Sequence, residues 1–206
     1  MQTRSDGPEA PVYPVFLRLA GRRVLVVGAG PVAAAKIVGL LAAGARITVV
    51  APDVVDEIAR APVELRRRGF ELPDLDGVCY VVAAAPSHVN RLVADAAHAR
   101  GLLVNAVDDV PNASVFLGAV LERAGVTIAL STNGEAPALA GLLREALEAV
   151  LPDDLDDWMA CARSSRTHWI AERVPMAERR PLLLEALVDL YATQRRVSTA
   201  GTRQVA

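Results

Sequence analysis

The segment at 28–33, which reads GAGPVA, contains the residues best suited to hold an anionic ligand. Gly28 permits a tight turn after a strand, Gly30 lets the backbone approach a pyrophosphate, and Ala33 stands where a third glycine is usual. The free N–H groups and the dipole at the start of the helix that follows favour phosphate oxygens. The segment predicts a dinucleotide-binding loop, and the alternative is a domain of the same fold that binds nothing.

In such domains an acid at the end of the second strand binds the adenosine ribose of the cofactor. Here Asp53 is the first acid after the second predicted strand, which ends in VVAP. Asp53 either reaches the ribose hydroxyls or caps the next helix, and both interpretations stay open. Because no arginine follows closely, a 2′-phosphate has no evident partner, and we expect NAD rather than NADP.

Two acids, Asp108 and Asp109, come directly after the fifth predicted strand. Ligands of open parallel sheets bind at the carboxyl ends of the strands, so a carboxylate there could transfer a proton beside the nicotinamide. Asp108 is the favoured candidate because it leaves the strand first. The other acid then only caps or solvates the turn before Pro111.

A further polar corner comprises Ser131, Thr132, Asn133 and Gly134, between a predicted strand and a long helix. Hydroxyl and amide groups, a glycine and a helix start can together hold an anion. The same residues are equally consistent with an elaborate helix N-cap.

Strands and helices alternate in the elements that position these residues. Short apolar runs typical of strands buried on both faces are followed by helices, which predicts parallel β-α-β units and a Rossmann-type α/β fold. Gly44 and Gly101 end the first and third helices, and Ser87 can cap the third. The expected strands are 24–27, 46–51, 63–67, 78–85 and 102–107, and the expected helices are 31–43, 53–60 and 89–100.

After Asp108 the pattern changes to two strands, 115–121 and 126–130, and then to helices alone, at 137–151, 154–162, 166–173 and 176–195. We therefore expect a Rossmann-type domain, a small dimerisation region and a C-terminal helical module. The expected division of the chain is a tail at 1–12, the dinucleotide-binding domain at 13–110, the dimerisation region at 111–151, the helical module at 152–196 and a tail at 197–206.

Composition argues against several classes of partner. The net charge of −2 argues against nucleic-acid binding, which needs a basic face. The two cysteines, Cys79 and Cys161, form no CxxC, and the three histidines have no metal-ligand spacing, so we expect no resident metal. No secretory signal is visible, and the apolar stretch at 32–43 is too short to span a bilayer. These features favour a cytoplasmic protein without a membrane partner.

Three separated motifs carry a resemblance to a known family: YPVFLRLAGRRVLVVGAGPVAAAK, then NAVDD, then STNGEAPALAGLLRE. Together they resemble the precorrin-2 dehydrogenase/sirohydrochlorin ferrochelatase family, the N-terminal module of siroheme synthase, over about 13–151. The resemblance implies NAD-dependent oxidation of precorrin-2 to sirohydrochlorin, and in some members insertion of ferrous iron as a transient substrate. It implies cofactor contacts at Pro31, Val32, Pro52 and Asp53, and an essential aspartate at Asp108. Thr132 occupies the position of a serine that is phosphorylated in some members.

The implied tetrapyrrole substrate carries many carboxylates. Its candidate anchors are Ser131, Thr132, the backbone at Asn133 and Gly134, and Arg144, whose alternative is a solvated helix face. A homodimer is also expected, because the helix at 137–151 has a wide apolar stripe. The competing functions are another NAD-dependent oxidoreductase and a nucleotide-sensing module without catalysis.

Overall fold

The structure is a computed structural model that describes residues 12–107, 109–133 and 135–201. By internal contacts the chain divides into two units. Unit 1 comprises the chain up to Leu117 together with Ser131–Ala136, and unit 2 comprises Gly118–Leu130 and the chain from Pro137 onward.

Unit 1 is built on a five-stranded sheet in the order β3-β2-β1-β4-β5, and each neighbouring pair is parallel. This is the predicted Rossmann-type arrangement, and it is confirmed. The order reverses direction between β1 and β4, which is where open sheets of this kind bind ligands. The strands are β1 (Arg23–Val27), β2 (Arg46–Val50), β3 (Glu64–Arg66), β4 (Tyr80–Ala83) and β5 (Leu103–Ala106).

Three helices pack on the two faces of this sheet: α1 (Pro31–Ala42), α2 (Asp56–Ala59) and α3 (Ser87–His98). Two apolar clusters form the core, one holding α1 and α2 side chains and the other holding α3 side chains. Strand side chains alternate between the clusters, as Val24 and Leu25 do, because successive residues of a strand point to opposite faces. The strands therefore consist largely of aliphatic residues.

Unit 2 contains an antiparallel hairpin of β6 (Ala119–Arg123) and β7 (Val126–Leu130). Ala124 and Gly125 connect them, both with positive φ, which suits a two-residue turn between twisted strands. Three helices follow: α4 (Pro137–Val150), α5 (Leu155–Ala171) and α6 (Met176–Gly201).

The observed elements differ from the expected ones in several places. Strand β6 begins at Ala119, not at residue 115, because the backbone at Val115 donates to Val104 and stays with unit 1. The two helices expected at 154–162 and 166–173 are one helix, α5, since no glycine or proline interrupts the chain there. Helix α6 extends to Gly201, past the expected start of a tail at Val197, while residues 202–206 lie outside the described residues.

The sequence also predicted which residues end α1 and cap α3. Gly44, with φ of 74°, donates to Leu41, and Ala45 donates to Leu40, so the expected glycine does end α1. The expectation for Ser87 is wrong: α3 begins at Ser87 itself, its N-cap is Pro86, and no side chain caps it.

Candidate functional site

The predicted phosphate loop lies between the end of β1 and the start of α1. Gly28 has φ of 102° and donates to Val50 at 2.9 Å, and a Cβ at this position would overlap the carbonyl oxygen of Ala84. Only glycine can therefore join β1 to the loop while β4 packs this closely.

Gly30 provides the open part of the loop. It is the N-cap of α1, and in the described part of the chain no heavy atom beyond its two chain neighbours lies within 4 Å of where its Cβ would be. Pro31 is the first helical residue, Val32 is exposed, and Ala33 is fully buried, holding the helix close to the sheet. The first backbone N–H groups of a helix lack intrahelical acceptors, so this open end fits the pyrophosphate of a dinucleotide.

The chain after β2 borders the same loop. The backbone N–H of Val55 donates to the carbonyl oxygen of Ala29 at 3.1 Å, which holds the segment containing Pro52 and Asp53 beside the glycines. Both residues are exposed. Asp53 does not cap α2, because the N-cap is Val55 and no side chain caps that helix. Of the two interpretations of Asp53, the structure removes the capping role, and the ribose contact stays a prediction.

The ends of β4 and β5 are joined by Asn90 of α3. Its side-chain oxygen accepts the N–H of Ala85 at 2.9 Å, and its nitrogen donates to the carbonyl oxygen of Val107 at 3.4 Å. Asn90 is buried. Sequence reasoning missed this residue. The available signal was its position on the apolar face of α3, in register with Val93, Ala94 and Ala97.

Of the two acids after β5, Asp108 lies outside the described residues. The carboxylate of Asp109 accepts the side-chain amide of Asn112 at 2.8 and 2.9 Å, and its carbonyl oxygen accepts the backbone N–H of Asn112 at 3.1 Å. Asp109 therefore stabilises the turn around Pro111, the role expected for one acid of the pair. The catalytic role of Asp108 remains a prediction.

In the corner after β7, the hydroxyl oxygens accept local backbone groups. Ser131 Oγ accepts the N–H of Asn133 and Thr132 Oγ1 accepts the N–H of Ala136, each at 3.1 Å. Asn133 has φ of 55°, and Gly134 lies outside the described residues. Each hydroxyl keeps its hydrogen, because these bonds use only its acceptor capacity. The corner thus still has two hydroxyl donors to offer an anion, and its role as a helix N-cap or as an anion site stays open.

Arg144 faces carboxylates of its own helix. Its guanidinium is 2.7 Å from Glu148 and 3.5 Å from Glu145. These ion pairs fit the alternative of a solvated helix face, and a substrate contact at Arg144 would have to compete with them.

Among the described residues, no three His, Cys, Asp or Glu side chains are grouped to hold a metal ion. No helix in the described ranges is both long and apolar enough to cross a membrane.

Comparison with known proteins identifies the family. A family model described as "Putative NAD(P)-binding" matches residues 15–119, and one described as "Sirohaem biosynthesis protein central" matches 123–149. The solved structure of "SirC, precorrin-2 dehydrogenase" is 30% identical, covers 84% of this chain and 88% of that chain, and superposes with a TM-score of 0.67. The chain belongs to the precorrin-2 dehydrogenase family.

Curated relatives extend the same match. Siroheme synthase of Photorhabdus laumondii is 37% identical over 184 residues, covering 87% of this chain and 39% of that protein. Siroheme synthase of Gluconacetobacter diazotrophicus is 40% identical over 185 residues, covering 85% of this chain and 39% of that protein. The chain thus spans about two fifths of the length of these relatives. The family resemblance read from the three motifs is confirmed, and the glycine loop belongs to an NAD(P)-binding domain.

Proposed function

We propose that the chain catalyses the NAD⁺-dependent oxidation of precorrin-2 to sirohydrochlorin in siroheme biosynthesis. The observation that carries the proposal is the open phosphate loop at Gly30. This loop lies at the edge of the sheet where β4 and β5 also end. The chain that contains it matches a precorrin-2 dehydrogenase over most of its length.

In the proposed reaction the substrate loses a hydride and a proton. Bound NAD⁺ supplies the hydride acceptor. Asp108 accepts the proton as the general base, a role that typically accelerates a reaction about 10²–10⁴-fold. Gly30 and the first turn of α1 orient the cofactor, and Asp53 contacts its adenosine ribose. The hydroxyls of Ser131 and Thr132, with the backbone at Asn133 and Gly134, donate to substrate carboxylates. Arg144 is a separate candidate anchor for a substrate carboxylate, in competition with Glu148 and Glu145.

The test is anaerobic turnover of precorrin-2 with NAD⁺, followed by the absorbance of sirohydrochlorin and of NADH. We expect Asp108→Asn and Asp108→Ala to lose most of the turnover while binding NADH normally. Asp95→Asn, which alters an exposed acid of α3, is the matched control. Turnover by Asp108→Ala at the wild-type rate would refute the assignment of the base. NADH binding without precorrin-2 oxidation would favour another oxidoreductase or a nucleotide-sensing module.

A second activity is included in the proposal: insertion of Fe²⁺ into sirohydrochlorin, with the metal as a transient substrate and the tetrapyrrole as its main ligand. Adding Fe²⁺ after the oxidation is complete, with an enzyme-free control, tests it. A rate equal to that of the control would limit the chain to the dehydrogenation.

The proposal also includes a cytoplasmic homodimer, in which two copies of the chain associate through unit 2. One observation supports the dimer: Leu139, Leu142 and Leu143 of α4 are exposed. Light scattering should give a dimer for the wild type and for Leu92→Glu, an exposed leucine in α3, and a monomer for Leu142→Glu. A monomeric wild type at micromolar concentration would contradict the dimer.

A further inference from the structure

Three consecutive arginines, at 66–68, lie at the carboxyl end of β3, next to the end of β2. In the register of the two strands Val50 pairs with Arg66, and the N–H of Ala51 donates to the carbonyl oxygen of Arg66 at 3.2 Å. The residue after Arg66 therefore lies beside the chain that leads from β2 to Asp53.

Two of these arginines are neutralised by acids. Arg66 is 2.7 Å from Asp74 and 2.8 Å from Glu64, and Arg68 is 2.6 Å from Asp74. The side chain of Asp74 is fully buried, so the two guanidiniums that pair with it lie against the body of unit 1. Their charges serve the fold and are not free for a ligand.

Arg67 differs from both neighbours. The N–H of Arg68 donates to the carbonyl oxygen of Arg66 at 2.9 Å, which places Arg67 at the tip of a three-residue turn. Its side chain is exposed, and within the described ranges it makes no hydrogen bond or ion pair. The turn thus presents one guanidinium that has no acid partner in the described part of the chain, on a backbone whose two flanking arginines are paired.

The position of the Arg67 charge relative to the phosphate loop indicates which part of a dinucleotide it could contact. Neighbouring strands lie about 4.8 Å apart, less than the length of an arginine side chain. The segment after β2 is bound to the loop through Val55 and Ala29. A dinucleotide whose pyrophosphate lies at Gly30 places its adenosine ribose at the end of β2, where an acid binds the free 2′-hydroxyl and an arginine accommodates a 2′-phosphate.

We infer that Arg67 binds the 2′-phosphate of NADP(H), so that the chain accepts both dinucleotides and uses Asp53 for the ribose of NAD(H). This inference rests on the proposed function for the cofactor site and revises the sequence-based preference for NAD alone. From the sequence alone the run at 66–68 is most simply a solvated strand end, because Arg67 follows Asp53 by a whole helix and strand. Only the parallel pairing of β2 with β3 brings the two segments together.

Binding measurements on the full chain, without precorrin-2, test the role of Arg67. Fluorescence titration should give dissociation constants for NADH and NADPH within about tenfold of each other. Arg67→Ala should raise the constant for NADPH about tenfold or more, the scale of one hydrogen bond to a charged group, and leave that for NADH within about twofold. Arg60→Ala removes an exposed arginine that pairs with Asp56, and should change neither. Adenosine 2′-monophosphate should compete with NADH for the wild type. Its affinity should fall in Arg67→Ala in parallel with that of NADPH.

Each outcome has a definite meaning. Equal effects of Arg67→Ala on NADH and NADPH, or a wild type that binds NADPH more than a hundredfold more weakly than NADH, would overturn the role of Arg67. Binding of neither dinucleotide would overturn both this role and the cofactor site. If Arg67→Ala selectively loses NADPH binding and the wild type fails to oxidise precorrin-2, the role of Arg67 is supported and the proposed substrate is refuted.

Discussion

Asn90 accepts the backbone N–H of Ala85 at 2.9 Å, and in doing so ties α3 to the chain that leaves β4. The same amide donates to Val107, the last described residue before Asp108. One buried side chain thus links the two strand ends nearest the proposed site of proton transfer.

Replacing Asn90 by leucine should destabilise unit 1 and slow turnover. The change leaves a backbone donor and a backbone acceptor without their partner, which costs about 1–3 kcal/mol when such groups are buried. We expect a loss of about 2 kcal/mol in urea unfolding and a fall in kcat of at least about tenfold. Asn90→Asp keeps an acceptor for Ala85 and should retain more activity than Asn90→Leu. Wild-type activity in Asn90→Leu would show that the link positions nothing.

The two glycines of the loop should respond differently to alanine. Gly28→Ala introduces a Cβ against Ala84 at a positive φ, so it should lower the free energy of unfolding by several kcal/mol. Gly30→Ala meets open space, so stability should stay within about 0.5 kcal/mol. NADH binding should nevertheless weaken in Gly30→Ala, because the methyl group occupies the approach to the pyrophosphate. Urea unfolding and NADH titration measure the two effects, and normal NADH affinity in Gly30→Ala would contradict this placement of the pyrophosphate.

The buried carboxylate of Asp74 should make stability depend on pH in acid. Hydrogen bonds from Arg68, from the backbone of Glu71 and from Arg66 outweigh burial and lower the pKa of Asp74 to about 2. Because the folded pKa is below the unfolded value of 3.8, the stabilisation is complete well above pH 3.8 and is lost as pH falls toward about 2. The pKa difference corresponds to roughly 2 kcal/mol.

Asp74→Asn measures this contribution. Its unfolding free energy should fall below that of the wild type at about pH 6, and the difference should shrink between about pH 4 and about pH 2. Asp56→Asn, at an exposed ion pair, should show no such dependence. A difference between Asp74→Asn and wild type that is constant over this range would be inconsistent with the buried pairing.

Tyr80 offers a stabilising change. Its hydroxyl is buried and has no hydrogen-bond partner among the described residues, and burial raises the pKa of the phenol. Tyr80→Phe removes an unsatisfied group and keeps the ring, so the urea midpoint should rise by the equivalent of about 1 kcal/mol. A lower midpoint would reveal a partner for the hydroxyl.

The sequence predicted the parallel sheet and the loop at 28–33 because both follow from local patterns. Apolar runs alternate with helices, and glycines between a buried strand and a helix start are typical of a phosphate loop. The roles proposed for Asp53, Arg67 and Asn90 depend on neighbours from distant parts of the chain. No local pattern shows that α2 is capped at Val55, or that β3 carries Arg67 to the end of β2.

The segment Ser131–Ala136 groups with unit 1, although the chain on both sides of it belongs to unit 2. During synthesis the β6–β7 hairpin therefore leaves the ribosome before unit 1 has all of its residues. Folding of unit 1 can be completed only after residue 136 has emerged, so a ribosome paused at Leu117 would carry a unit without its last segment. The polar corner proposed to hold the substrate is thus the final piece of unit 1 to be made.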